Sequence, residues 1–156
     1  MLTTKAFIFD LDGTVIQSHT ILYQMLKAYF SSEQFALLEP HYPRLKGMNE
    51  SQLMLYIADI IGIQAADIQQ IRGDLIILGT QLKQQHGVAY VKGFEDFYTH
   101  YTAHAIKDCI ATNGRGVSLN ATLNLINIKH FFGDKIYTPD HVAGRTNRIQ
   151  LFFYMR

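Results

Sequence analysis

The first ordered pattern in the chain is KAFIFD, a short unbroken apolar run that ends in the turn formers DLDGT. An apolar run without polar alternation reads as a strand covered on both faces, as in parallel sheets. Helical spacing follows. Leu22, Met25, Leu26 and Tyr29 line a first face, Leu53, Tyr56, Ile57, Ile60 and Ile61 a second, and Ile68, Ile71, Leu75, Leu78 and Leu82 a third. Asn49 with Gln52 three residues on resembles a capping box opening the second of these helices. Pro40, Pro43 and Gly47 predict a loop between the first two. Residues 18–87 therefore read as an all-helical insert with its own small core. VAYVKG is a short linker or strand, and Phe94, Phe97, Tyr98 and Tyr101 mark another helix. DCIAT and DKIYT read as two more strands, with a helix lined by Leu119, Leu123 and Ile126 between them. Strands separated by single helices predict an α/β fold with a parallel sheet and right-handed crossovers.

Composition narrows this picture. The 156 residues are 48% hydrophobic and carry a net charge of +1, with no long run of one sign. A buried core is expected, and neither nucleic acid nor a membrane is expected as a partner. No signal peptide or membrane-spanning run is legible, so a cytoplasmic location is expected. Cys109 lies in an apolar run and reads as a small buried hydrophobe. The 7 histidines show no metal-ligand spacing, and zinc is not indicated.

Reactive groups in open α/β sheets gather at the C-terminal ends of strands. Asp10, Asp12 and Thr14 fall there after the first strand, Thr112 and Asn113 after the second. Two carboxylates one residue apart can divide labour: one attacks phosphorus, the other moves protons to and from the leaving group and water. Such chemistry calls for a cation, usually magnesium. A hydroxyl and backbone N–H groups at the second strand end suit phosphate oxygens. Gly13 permits a sharp turn beside them.

FIFDLDGT resembles the first signature of the haloacid dehalogenase (HAD) superfamily, and CIATNG its second. RLKGMNE and VKGFEDF resemble the cap segment and return linker of the phosphoglycolate-phosphatase and β-phosphoglucomutase branch, and INIKHFFGDKIYT the helix and third strand that follow. The resemblance implies a Rossmann-like core of residues 1–17 and 88–156, a partial parallel sheet, and a helical cap of residues 18–87. It implies a magnesium-dependent phosphatase acting on a small phosphorylated metabolite through an aspartyl-phosphate. Asp10 would be nucleophile and magnesium ligand. Asp12 would be general acid/base, its backbone carbonyl also reaching magnesium. Thr112 and Asn113 would grip the phosphate. Arg145 occupies the place of the third-signature cation.

The pattern departs in three places. Gln17 stands where the branch usually has Asp. The third signature normally reads Gly-Lys-Pro with another Pro and Asp close behind. Here it reads GRTNRIQLF, so Arg145 keeps the charge while Thr146 and Arg148 replace the prolines that shape the loop, and Arg and Lys are not interchangeable at a tight site. The chain stops at Arg156, before the strand that carries the fourth signature and its acidic ligands; Asp134 and Asp140 flank the third strand and do not simply substitute. On that reading the chain is truncated, AFIFD is an apolar edge strand, and self-association through it is open.

Blander readings stand beside these. Thr112 alone is an ordinary strand end, Asn113-Gly114 a plain turn, Arg145 a solvated charge. Lys46 and His19 read as solvated, and Tyr98 and Tyr101 as a core stripe. Rival functions are a catalytically impaired remnant that binds phosphate or a partner, and a phosphomutase of the same superfamily. A dehalogenase would not normally keep Asp12. A receiver domain would place its phosphate-accepting Asp at the third strand and lack the helical insert.

Overall fold

The computed structural model describes residues 6–46, 48–102 and 106–141. Three strands, β1 (Ala6–Phe9), β2 (Lys107–Ala111) and β3 (Ile136–Tyr137), form one sheet in the order β1-β2-β3, with both pairings parallel. The parallel α/β architecture expected from the apolar runs is present. Among the described residues β1 pairs on one side only, with β2.

The chain divides into two compact units, with breaks between Ser18 and His19 and between Gly87 and Val88. In the sheet-bearing unit, α6 (Phe94–Thr102) lays an aromatic face on β1. Phe7 meets Phe97 at 5.6 Å and Tyr101 at 4.7 Å, and Phe9 meets Phe94 at 6.0 Å. Tilted and edge-on ring contacts of this kind add to simple area burial. Phe132 of α8 (Ile128–Phe132) completes the layer from the other side of the sequence, fully buried and 5.4 Å from Phe9. Tyr98 and Tyr101 are thus core residues, and the Tyr98 hydroxyl donates to the Phe131 carbonyl. Cys109 is buried on β2.

The helix expected through Leu119, Leu123 and Ile126 ends early. α7 spans Gly116–Leu125, and Ile126 is extended at φ −123° and ψ 141° before α8 begins. Ile126 and Ile128 still reach the core, so apolar spacing alone did not reveal the break.

The second unit is helical: α1 (His19–Tyr29), α2 (Ser32–Leu38), α3 (Tyr42–Leu45), α4 (Glu50–Ile61) and α5 (Ile68–His86). Its core joins Leu26, Phe30, Leu38, Leu45, Met54, Ile57 and Leu75. Burying each of these stabilises by roughly 1.5–3 kcal/mol relative to exposure. The loop expected around Pro40 and Pro43 is instead α2, a 3-10 turn (Glu39–His41) and α3. Both prolines sit in the first turn of their helices, where no N–H partner is lost. The reciprocal capping box lies at Ser31 and Gln34. At Asn49 the side chain accepts from the Gln52 N–H at 3.0 Å, the first half of the expected box. Among the described residues no helix is long and apolar enough to cross a membrane.

Candidate active site

Strand register brings the expected residues to one edge. Phe9 lies beside Ile110, Ile110 beside Ile136, and Ala111 beside Tyr137. Asp10 follows Phe9 directly, so it leaves the sheet level with Ala111 and Tyr137. Thr112 and Thr138 leave one residue later, tied by the Thr112 N–H to the Tyr137 carbonyl at 3.0 Å. Because the strands are parallel, all three departures are at the C-terminal edge, where α/β sheets place reactive groups.

The loop after β1 is folded on itself. The Leu11 carbonyl accepts from the N–H groups of Val15 and Ile16, both at 3.0 Å, and the Gly13 N–H donates to the Ile16 carbonyl at 2.8 Å. Gly13 sits at φ 76°, a left-handed conformation that only glycine adopts without cost. Leu11, Val15 and Ile16 are fully buried, so the backbone carrying Asp10 and Asp12 is anchored from beneath, while Asp10 is half-buried and Asp12 exposed.

After β2, Thr112 is 1% exposed and its hydroxyl accepts from the Gly114 N–H at 3.0 Å. That bond turns the chain tightly and fixes the hydroxyl oxygen. A Cβ on Gly114 would lie 3.3 Å from both Thr112 Oγ1 and Leu119 Cδ1, a tight contact that presses on the hydroxyl. Asn113 Oδ1 is buried without a partner. An orphaned acceptor costs on the order of 1–3 kcal/mol, so this atom suits a donor on a bound molecule, such as a water or a substrate hydroxyl.

Sequence reading passed over several neighbours. Gly114 holds the Thr112 hydroxyl, although NG read as a plain turn. Past β3, the Thr138 N–H donates to His141 Nδ1 at 3.0 Å, and Asp140 faces the Arg115 guanidinium at 3.6 Å. No spacing rule connects residues 115 and 140. Asp134, at the other end of β3, pairs with Lys129 at 2.9 Å on the surface, and Lys129 holds its carboxyl below the usual range. Lys46 is exposed at the end of α3, and the carbonyl of His19 accepts from the Tyr42 hydroxyl. Arg145 lies outside the described residues.

Among the described residues no three His, Cys, Asp or Glu side chains cluster as a metal site. Asp10 and Asp12 still place two carboxylates on one turn. That donor set fits magnesium, which keeps several waters and is met by one or two carboxylates plus substrate phosphate.

The family model described as haloacid dehalogenase-like hydrolase matches residues 7–150. No curated protein matches the chain. A HAD family hydrolase from Deinococcus radiodurans R1, solved with bound phosphate and sodium, superposes with a TM-score of 0.58 at 20% identity, covering 91% of this chain and 61% of that one. A candidate phosphoglycolate phosphatase from Haemophilus somnus 129PT gives a TM-score of 0.68 at 13% identity, covering 99% and 71%. A candidate β-phosphoglucomutase from Thermotoga maritima gives 0.58 at 14% identity, covering 90% and 64%. The chain spans less than two thirds of the Deinococcus and Thermotoga proteins. At these identities the structures establish the fold. The family match, extending from Phe7 in the first strand well past the third, establishes kinship: the chain belongs to the haloacid dehalogenase-like hydrolases.

Proposed function

We propose that the chain is a magnesium-dependent phosphohydrolase that acts on a small phosphorylated metabolite. The observation that carries this reading is the register that sends Asp10 and Thr112 out of the same sheet edge from adjacent parallel strands. One strand end supplies a nucleophile and a proton carrier, the other a phosphate grip.

In this reading an Asp10 carboxylate oxygen attacks phosphorus, and the bond from phosphorus to the leaving oxygen breaks. Asp12 gives its proton to that oxygen. Asp12 then takes a proton from water, which attacks the aspartyl-phosphate, releases phosphate and restores Asp10. The Thr112 hydroxyl, with its oxygen fixed by Gly114, and the Asn113 side chain hold the non-reacting phosphate oxygens. Magnesium, held by Asp10 and the Asp12 carbonyl, would offset phosphate charge. The helical unit would serve as the cap that excludes bulk water.

The test is magnesium-dependent phosphate release from an aryl phosphate, with Asp10→Asn as control. Turnover that requires both magnesium and Asp10 supports the reading. Folded protein that binds inorganic phosphate without turnover favours instead a catalytically impaired protein that binds phosphate.

A further inference from the structure

We propose that Gln17 is a positioning residue that sets the Asp12 loop from the far side of the sequence. Its side-chain Nε2 donates to the Tyr90 carbonyl at 3.2 Å, across 73 residues of chain. This proposal rests on the hydrolase reading, in which the Asp12 loop is the chemical one.

The bond closes a short ladder. The Gln17 N–H donates to the Ala89 carbonyl and the Val91 N–H to the Val15 carbonyl, both at 2.9 Å, and Ile16 bridges Tyr90 antiparallel. Ile16 also bridges Asp12 in the parallel sense, and its carbonyl receives the Gly13 N–H at 2.8 Å. Asp12 is therefore two backbone steps from Tyr90: the first through Ile16 to the Asp12 loop, the second through Ile16 and Gln17 to the returning chain.

Tyr90 is a fixed reference. Its ring stacks on Phe94 at 5.6 Å and meets Phe131 edge-on at 5.3 Å. Gln17 itself is exposed, so it contributes nothing to the core, and among the described residues its side chain bonds a carbonyl. A carbonyl requires a donor. The aspartate that the family pattern has at this place accepts and does not donate when ionised. The departure at Gln17 is thus a change of bonding polarity: an acceptor replaced by a donor that clasps the returning chain at Tyr90. A loop held from both sides keeps a carboxylate in productive geometry, and small misplacements are costly to the chemical step.

The experiment compares wild type with Gln17→Met, which keeps the length and removes the donor, and Gln17→Lys, which keeps a donor. Two readouts are taken: kcat and KM for an aryl phosphate with magnesium, and amide exchange at Gly13 and Ile16. The expected result is about a fivefold fall in kcat for Gln17→Met with KM within about twofold, and a value near wild type for Gln17→Lys. Exchange at Gly13 and Ile16 quickens in Gln17→Met alone. Unchanged kcat in Gln17→Met, or equal loss in both variants, overturns the proposal. If folded wild type shows no turnover, the hydrolase reading fails by itself. The exchange data then decide: quickening confined to Gln17→Met sustains the clasp, and unchanged exchange overturns it.

Discussion

The Tyr101 hydroxyl donates to the Asp108 carboxylate at 2.8 Å, and the two residues are 3% and 8% exposed. The other carboxylate oxygen receives the Lys135 ammonium. This network ties α6, β2 and the approach to β3 together near the start of β2, away from the edge where Asp10 leaves.

Burial by itself would raise the Asp108 carboxyl, but the hydrogen bonds from Lys135 and Tyr101 outweigh it and hold the group below its usual value of 3.8. Burial, reinforced by Asp108, pushes the Tyr98 phenol up to about 12 and the Tyr101 phenol higher still. A depressed carboxyl contributes stability that is complete above its unfolded value and is lost as pH falls through the lower folded one. Asp108→Asn should therefore cost about 2–3 kcal/mol at pH 7. The gap from wild type should narrow as pH drops below about 4. Thermal unfolding across that range checks it, and a gap that stays constant would sink the charge argument.

Tyr101→Phe removes one donor to a buried carboxylate while keeping the tilted ring contacts with Phe7 and Phe9. A loss of about 1–2 kcal/mol is expected, smaller than for Asp108→Asn. Urea unfolding with an unchanged m-value is the measurement.

Gly114→Ala places a methyl 3.3 Å from the Thr112 hydroxyl and from Leu119. The methyl crowds the Thr112 hydroxyl by a few tenths of an ångström, so inorganic phosphate should bind about threefold more weakly, for a stability cost of about 1 kcal/mol. Competitive inhibition by phosphate, or calorimetric titration if turnover is absent, reads the first. Equal affinity in the variant would mean that Thr112 does not hold the anion.

Gly79 is buried in α5, and a Cβ there would lie 3.0 Å from Met25 Sδ of α1. Gly79→Ala should be near neutral, because helix propensity gains about 1 kcal/mol while Met25 swings aside. Gly79→Val should lower the melting temperature, since a branched side chain overpacks the same gap. Equal effects from the two variants would count against close helix packing at this point.

The strands were legible as unbroken apolar runs and the long helices by their helical spacing of apolar residues, and the place of Asp10, Asp12, Thr112 and Asn113 just past strand ends was legible from the turn formers around them. The short helices around Pro40 and Pro43 were not, since proline reads as a breaker unless its place in a first turn is known. The end of α7 before Ile126 was hidden because that residue stays buried after the helix stops. The Gln17 clasp and the Arg115–Asp140 pair depend on which strands lie side by side, and no local pattern carries that information.

Residues 17 and 89 are bonded neighbours, as are 15 and 91, so the chain departs for the helical unit and comes home at the same doorway. The helical stretch is therefore a graft on a closed stem. Chain entry and exit are fixed by the stem, so a change of length in the helical stretch leaves the ends of the stem paired. The strand ends that carry Asp10 and Thr112 thus lie in one unit with the stem, and the helical stretch is spliced in without breaking the strand order.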